Sequence, residues 1–202
     1  MSETIAILGG TGDLGTGLAI RWSKAGYKVI IGSRTKEKAV KAVTNLKKVN
    51  PSVAADAMIN EDAARIGDIV VLTVPASHQL STLEGVKQYL AGKILIDVTV
   101  PLVPPKVGTV QLPIEGSAGK RAQDLLGDRV MVVTAFQNIA AHLLQEDIDI
   151  ECDVLVSGNK KKAREKVIKL AKEAGMNGFH AGPIENSVAA EALTSILIQI
   201  NR

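Results

Sequence analysis

The chain holds one cysteine, Cys152, in 202 residues. A lone thiol excludes an internal disulfide framework and a cysteine-based metal site, and it fits a reducing cytoplasm. Aromatic residues make up only 2%, too few for base-stacking platforms. No apolar run approaches the roughly 20 residues needed to cross a bilayer. Met1 to Thr4 lead directly into a strand-like run, so no signal peptide is expected. The formal net charge is a mild +3, and the one basic run, Lys160-Lys161-Lys162, reads as a solvated helix start. Neither nucleic acid nor membrane is expected as a partner. His78, His142 and His180 are not grouped with acidic residues at ligand spacing, so no metal is expected either.

What the sequence does have is alternation. Short apolar runs, most of them β-branched, at Thr4–Leu8, Lys28–Ile31, Ala54–Met58, Ile69–Val74, Ile94–Val98, Val130–Thr134 and Val154–Val156 read as strands, with a weaker one at Asn177–His180. Several are apolar throughout, as strands covered on both faces are. Helical periodicity lies between them at Leu14–Ala25, Lys36–Lys48, Leu80–Leu90, Ser117–Leu126 and Ala163–Ala174. This predicts an α/β fold: a Rossmann-type, doubly wound, mostly parallel sheet with a small C-terminal helical extension. The expected division is a nucleotide-binding domain over residues 1–150 and a strand–helix extension over 151–202 that completes sheet and site. A last helix, about Glu185 to Ile200, carries a broad apolar face of Val188, Ala189, Ala192, Leu193, Ile196, Leu197 and Ile200. That face reads as core; the alternative is a cover for a ligand or a partner subunit. The stretch Val100–Pro113, with four prolines, reads as a long loop at a strand's end, where α/β proteins place ligands.

The first strand runs into Gly9-Gly10-Thr11-Gly12-Asp13-Leu14-Gly15. Glycines at 10, 12 and 15 make a G-x-G-x-x-G that follows a strand and opens a helix, the setting a dinucleotide pyrophosphate needs. Gly10 is expected to allow the tight turn, Gly12 to admit the phosphates, and Gly15 to let helix and strand pack closely. The helix start then offers free N–H groups and the positive dipole end. At the end of the second strand an NAD site usually has an acidic residue for the ribose 2′-hydroxyl. Here Ser33 and Arg34 stand instead, with Lys38 one turn on. A guanidinium fork suits a 2′-phosphate, and unpaired cations at a helix start are otherwise unfavourable. NADP is therefore expected rather than NAD, with Thr11 closing the same pocket.

Later strand ends carry Thr73-Val74-Pro75, Asp97-Val98-Thr99-Val100-Pro101 and Thr134-Ala135-Phe136-Gln137-Asn138. Val74 and Pro75 are expected to pack on the nucleotide, and Pro101 and Gln137 to line the reactive ring. Tyr89 and Lys93 match a Y-x-x-x-K, but Gly92 ends the helix between them. No catalytic acid or base emerges. Carbonyl reduction needs a proton donor beside the hydride donor, whereas transfer between two stacked rings needs mainly proximity.

The chain resembles the NADPH-dependent reductases of the deazaflavin coenzyme F-420 (8-hydroxy-5-deazaflavin, F420) over nearly its whole length. The residues that carry the resemblance are Ile7 to Gly15, Gly32-Ser33-Arg34, Glu115-Gly116-Ser117-Ala118, Ala135 to Asn138, Cys152 to Val156 and Ala181 to Asn186. It implies NADP contacts at Thr11, Ser33, Arg34 and Lys38, and deazaflavin stacked on nicotinamide near Val74, Pro75, Val98, Gln137 and the last helix. It also implies a cytoplasmic homodimer whose C-terminal region joins the subunits. One position departs: many relatives have Arg after the Asn-Ser or Asn-Ala pair, where this chain has Val188. Two other functions fit the same residues: an NADPH-dependent reductase of flavin or another acceptor, and an NADP-binding sensor without turnover.

Overall fold

In a computed structural model, which describes residues 3–146 and 148–201, the strands form one eight-stranded sheet in the order β3-β2-β1-β4-β5-β6-β7-β8. The strands are β1 (Thr4–Leu8), β2 (Lys28–Ser33), β3 (Ala55–Ile59), β4 (Ile69–Leu72), β5 (Ile94–Asp97), β6 (Met131–Thr134), β7 (Asp153–Gly158) and β8 (Asn177–Gly182). Strands β1 to β6 are parallel. Strand β7 runs antiparallel to β6, and β8 is parallel to β7. The sheet is thus mostly parallel, with one reversal between β6 and β7. The chain order turns back between β1 and β4, and at such a point the loops above the strand ends part into a crevice.

The helices are α1 (Asp13–Lys24), α2 (Lys36–Val49), α3 (Asn60–Ile66), α4 (Gln79–Val86), α5 (Ala118–Leu126), α6 (Lys161–Glu173) and α7 (Ser187–Ile200). Strand residues alternate between two cores. Ile5, Ile7, Val29 and Ile31 join Leu18 and Trp22 of α1 and Val167 and Leu170 of α6 on one face. Ala6, Leu8, Val70 and Leu72 join Ala63 of α3, Leu83 of α4 and Ala122 of α5 on the other. Helix α5 shows why its boundaries fall where they do. Ser117 Oγ accepts the Lys120 N–H at 3.0 Å as an N-cap, and Gly127 ends the helix with φ of 69°. Among the described residues no helix is long and apolar enough to cross a membrane.

Three expectations are corrected. Helix α3 has no counterpart in the sequence reading; at seven residues it is too short for periodicity to register. The segment Leu80–Leu90 is α4 followed by a separate 3-10 turn at Lys87–Tyr89. The third correction concerns α7. Its inward residues are Ser187, Ala190, Glu191 and Ser195, while Leu193, Ile196 and Ile200 are 38%, 47% and 72% exposed. The apolar stripe faces out, so it is not core. Polar bonds hold the inner face: Glu191 accepts the Ala118 and Gly119 N–H groups at 2.6 and 3.0 Å. Asn138 Nδ2 donates to the Ala190 carbonyl and to Thr194 Oγ1, both at 2.9 Å.

Candidate functional site

Strand β1 ends in a turn whose left-handed residue is Gly9, with φ of 67°. The tight turn was expected at Gly10; it belongs to Gly9. Gly10 serves close approach instead. A Cβ on it would stand 2.8 Å from the Ile7 carbonyl oxygen, and one on Gly15 would stand 2.6 Å from Gly10 Cα. These two glycines let α1 press against β1, and both are buried. Gly12 is different. A Cβ there meets nothing within 4 Å, so no contact within the protein demands glycine at this position. Gly12 is exposed at the N-cap of α1, where unpaired N–H groups and the positive end of the helix dipole favour an anion.

Beside this cradle lies a pocket of about 240 Å³ walled by Thr11, Ser33, Arg34, Lys38, Asn60 and His78 among others. The Arg34 and Lys38 side chains are exposed, and Ser33 is buried at the strand end. Asn60, at the start of α3, fixes the glycine turn by accepting the Gly9 N–H at 3.2 Å on Oδ1. Nothing in the sequence reading pointed to it, because the short α3 that carries it went unseen.

A larger cavity of about 1100 Å³ opens on the same cradle and shares Gly9, Thr11, Val74 and Pro75 with the smaller pocket. Its walls include Gly12, Leu14, Val98, Thr99 and much of the proline-rich loop from Val100 to Pro113. The volume exceeds the roughly 300–1,000 Å³ usual for one small ligand. Pro101 lines it. Asp13 is exposed in the first turn of α1 and lies off the walls of both cavities. Gln137 is also off them. It is buried, and its Nε2 donates to the Asp97 carbonyl at 3.0 Å. The preceding Phe136 takes φ of 71° and stacks edge-on against Trp22. That left-handed kink redirects the chain after β6, and Gln137 follows it to a backbone carbonyl rather than to the cavity. Of the three histidines, all exposed, only His78 lines either cavity.

Behind the large cavity runs a buried polar chain that the sequence reading did not assign. Asp97, at the end of β5, is fully buried; Gln79 Nε2 donates to its Oδ2 at 2.5 Å and to the Ala118 carbonyl at 2.9 Å. The Thr99 N–H reaches Asp97 Oδ1 at 2.9 Å. Gln79 Oε1 accepts Arg121 Nε and Nη2 at 2.8 and 2.6 Å. Burial pushes the Asp97 carboxyl up, against hydrogen bonds from Thr99 and Gln79 and the Arg121 charge. Burial also raises Glu191 to about 7, with its two backbone N–H bonds opposing and Asp97 adding to the rise. Arg121 ends the chain on the cavity wall. A charged residue closing the otherwise apolar run Ile94 to Asp97 was the visible signal for this network.

The geometry provides an anion cradle, a basic pocket beside it and a long apolar chamber. Sequence comparison agrees with that arrangement. Residues 4–101 match the family model described as NADP oxidoreductase, coenzyme F420-dependent. The F420-dependent NADP reductase of Methanocaldococcus jannaschii is 42% identical over 98% of this chain and 92% of its own length. That of Methanothermobacter thermautotrophicus is 39% identical over 100% of this chain and 90% of its own. A solved structure from Arthrobacter sp. FB24 superposes with a TM-score of 0.82 at 24% identity, covering 98% of this chain and 93% of that one, which speaks to the fold. With such identity along nearly the full length, the chain belongs to the F420-dependent NADP reductase family.

Proposed function

We propose that this protein transfers a hydride between NADP(H) and coenzyme F420. The observation that carries the reading is the large cavity: beside the phosphate cradle, it is walled mainly by apolar residues, and among the described residues Arg121 is the one ionisable side chain on its wall. Such a chamber suits two flat rings laid face to face. When both are bound, the dihydronicotinamide would supply the hydride from C4, and the deazaflavin would accept it together with one proton from solvent.

The chain's own residues bind and orient. The N–H groups at the start of α1 receive the pyrophosphate, which Gly12 lets come close. Arg34, Lys38, Ser33 and Thr11 take the 2′-phosphate and so select NADP over NAD. Val74, Pro75 and Val98 hold the rings and keep water off the reacting carbons. No side chain need act as acid or base, because positioning at about 3–3.5 Å is what hydride transfer requires. Val98 is only 5% exposed, a fixed wall for this purpose. Gln137 would act on the site through the Asp97 carbonyl it holds.

The working form is a homodimer in the cytoplasm. Leu193, Ile196 and Ile200 on α7, with Leu155 and Phe179 paired across β7 and β8, leave apolar surface that a second copy would cover. In this reading residues 151–202 serve mainly to complete the sheet and carry the subunit contact.

The test is NADPH oxidation measured side by side with F420, with FMN and with no acceptor. Rapid loss of the deazaflavin's visible absorbance, against slow rates in the other two, is the expected result. Turnover of FMN alone would make this a flavin reductase. NADPH binding without turnover would make it a sensor.

A further inference from the structure

Arg121, half-buried, is built differently from Arg21, the buried cation among the described residues. Arg21 spends its guanidinium on four backbone carbonyls, those of Leu143, Leu144, Glu146 and Ile148, at 2.6 to 3.1 Å. It is a clamp, and all its hydrogen-bonding nitrogens are engaged. Arg121 gives Nε and Nη2 to the single oxygen Gln79 Oε1, with a long 3.4 Å contact to the Ala76 carbonyl. Among the described residues no acceptor meets its Nη1. Nor does a carboxylate pair with it directly. Asp97 is one amide away, on the far side of Gln79.

The Gln79 amide can sit only one way round. Its NH2 faces two acceptors, the Asp97 carboxyl and the Ala118 carbonyl, so its oxygen must face the guanidinium. Asp97 thus fixes Gln79, and Gln79 fixes Arg121, while the guanidinium meets no carboxylate directly among the described residues. A structural arginine is normally paired or saturated with acceptors. One held by a neutral amide at the wall of an apolar chamber is poised for an incoming acceptor.

In the proposed function the nucleotide's own charges would have partners elsewhere, at the pocket lined by Arg34 and Lys38 and at the open side of Gly12. Arg121 rises from α5, and the chamber it faces continues to the proline-rich loop. We propose that Arg121 recognises the electron-rich oxygen edge of the deazaflavin ring, with Gln79 as its positioning residue. This rests on the reading that F420 is the hydride partner. It makes Arg121 a determinant of acceptor affinity, separate from the residues that choose NADP.

The test uses the full-length protein with Arg121→Met and Arg121→Lys. F420 binding is titrated by fluorescence in the presence of NADP+, NADPH binding by calorimetry, and turnover with F420 and with its tail-less deazaflavin chromophore. Arg121→Met is expected to raise the Kd and KM for both deazaflavins about 10- to 100-fold, the range of a charge-assisted hydrogen bond. NADPH affinity should stay within about threefold, which also shows the variant to be folded. Arg121→Lys should recover part of the loss. Unchanged deazaflavin affinity in Arg121→Met overturns the proposal. So does a loss confined to tailed F420, which would assign Arg121 to the anionic tail, or one confined to NADPH. Wild-type protein that binds NADPH but not F420 would instead overturn the choice of hydride partner, and this inference with it.

Discussion

Helices α1 and α7 show opposite uses of an apolar stripe. In α1 the stripe turns inward: Leu18, Ala19 and Trp22 are fully buried, and the Trp22 indole N–H donates to the Leu170 carbonyl at 3.0 Å. In α7 the stripe turns outward, and Ser187, Glu191 and Ser195 face the protein. Periodicity alone marks both as amphipathic. It cannot say which face meets the chain's own core, because burial in a partner leaves the same pattern. The inward face of α7 is specific rather than greasy. Ser187 Oγ meets Ser117 Oγ at 2.7 Å, and Glu191 closes the N-terminus of α5. In the proposed reading α1 opens the phosphate end of the site, with Asn60 of α3 holding its glycine turn; α7 packs on α5, and so supports the wall that bears Arg121.

Gly12→Val should break the α1 side of this comparison most severely. The position has open space around it and φ of −88°, so the fold should tolerate the side chain. NADPH binding should fall more than about 100-fold, since one lost pyrophosphate contact set outweighs a single charge-assisted bond. Calorimetry, with thermal melting as the fold control, checks this; intact NADPH affinity would remove Gly12 from the cradle.

Arg34→Asp should come next. Losing a charged hydrogen bond costs about 1.5–3 kcal/mol, and NADH should gain relative to NADPH. Titration of both nucleotides decides, and unchanged preference would show that Arg34 only decorates the surface.

Ile196→Glu probes the outward face of α7. A charge in an apolar subunit contact should shift the protein to monomers at micromolar concentration while NADPH binding persists. Light scattering reads the mass; a wild-type monomer, or a variant dimer, would contradict the assignment of this face.

The smallest effect concerns the inward face. Folded Glu191 keeps its proton up to about pH 7, whereas an unfolded glutamate releases it near 4.5. Between those values the native state binds the extra proton. The stability this group contributes is therefore full below about pH 4.5 and is lost as pH rises to about 7. Glu191→Gln should flatten that part of the stability profile in denaturant melts. An unaltered slope would show that Glu191 titrates normally.

Much of the sheet was legible because most of its strands are apolar, β-branched runs and its turns carry glycines at informative places. Seven strands and the weaker β8 overlap the runs read as strands, and the reversal of β7 was not visible because periodicity carries no direction. At the site, Thr11, Ser33, Arg34, Lys38, Val74, Pro75 and Val98 line the two cavities. Ser33 ends a strand and the others lie in the loop or first helical turn that follows one, where topology dictates the crevice. Gln137 follows a strand too, but Phe136 turns it away, and a positive φ at a non-glycine residue leaves no trace in the sequence. The Asp97–Gln79–Arg121 chain draws on three separate elements. Its members are ordinary polar residues in sequence and become a unit only when β5, α4 and α5 pack.

Direct transfer between two stacked rings is the centre of this account, and labelled hydride tests it most directly. NADPH carrying deuterium at C4 would be oxidised by the wild-type protein with F420 in ordinary water, and the reduced deazaflavin examined by mass spectrometry. The account predicts that deuterium on the transferred face appears in the product in full, with slower transfer than from the unlabelled nucleotide. A reduced deazaflavin that carries no deuterium would contradict it.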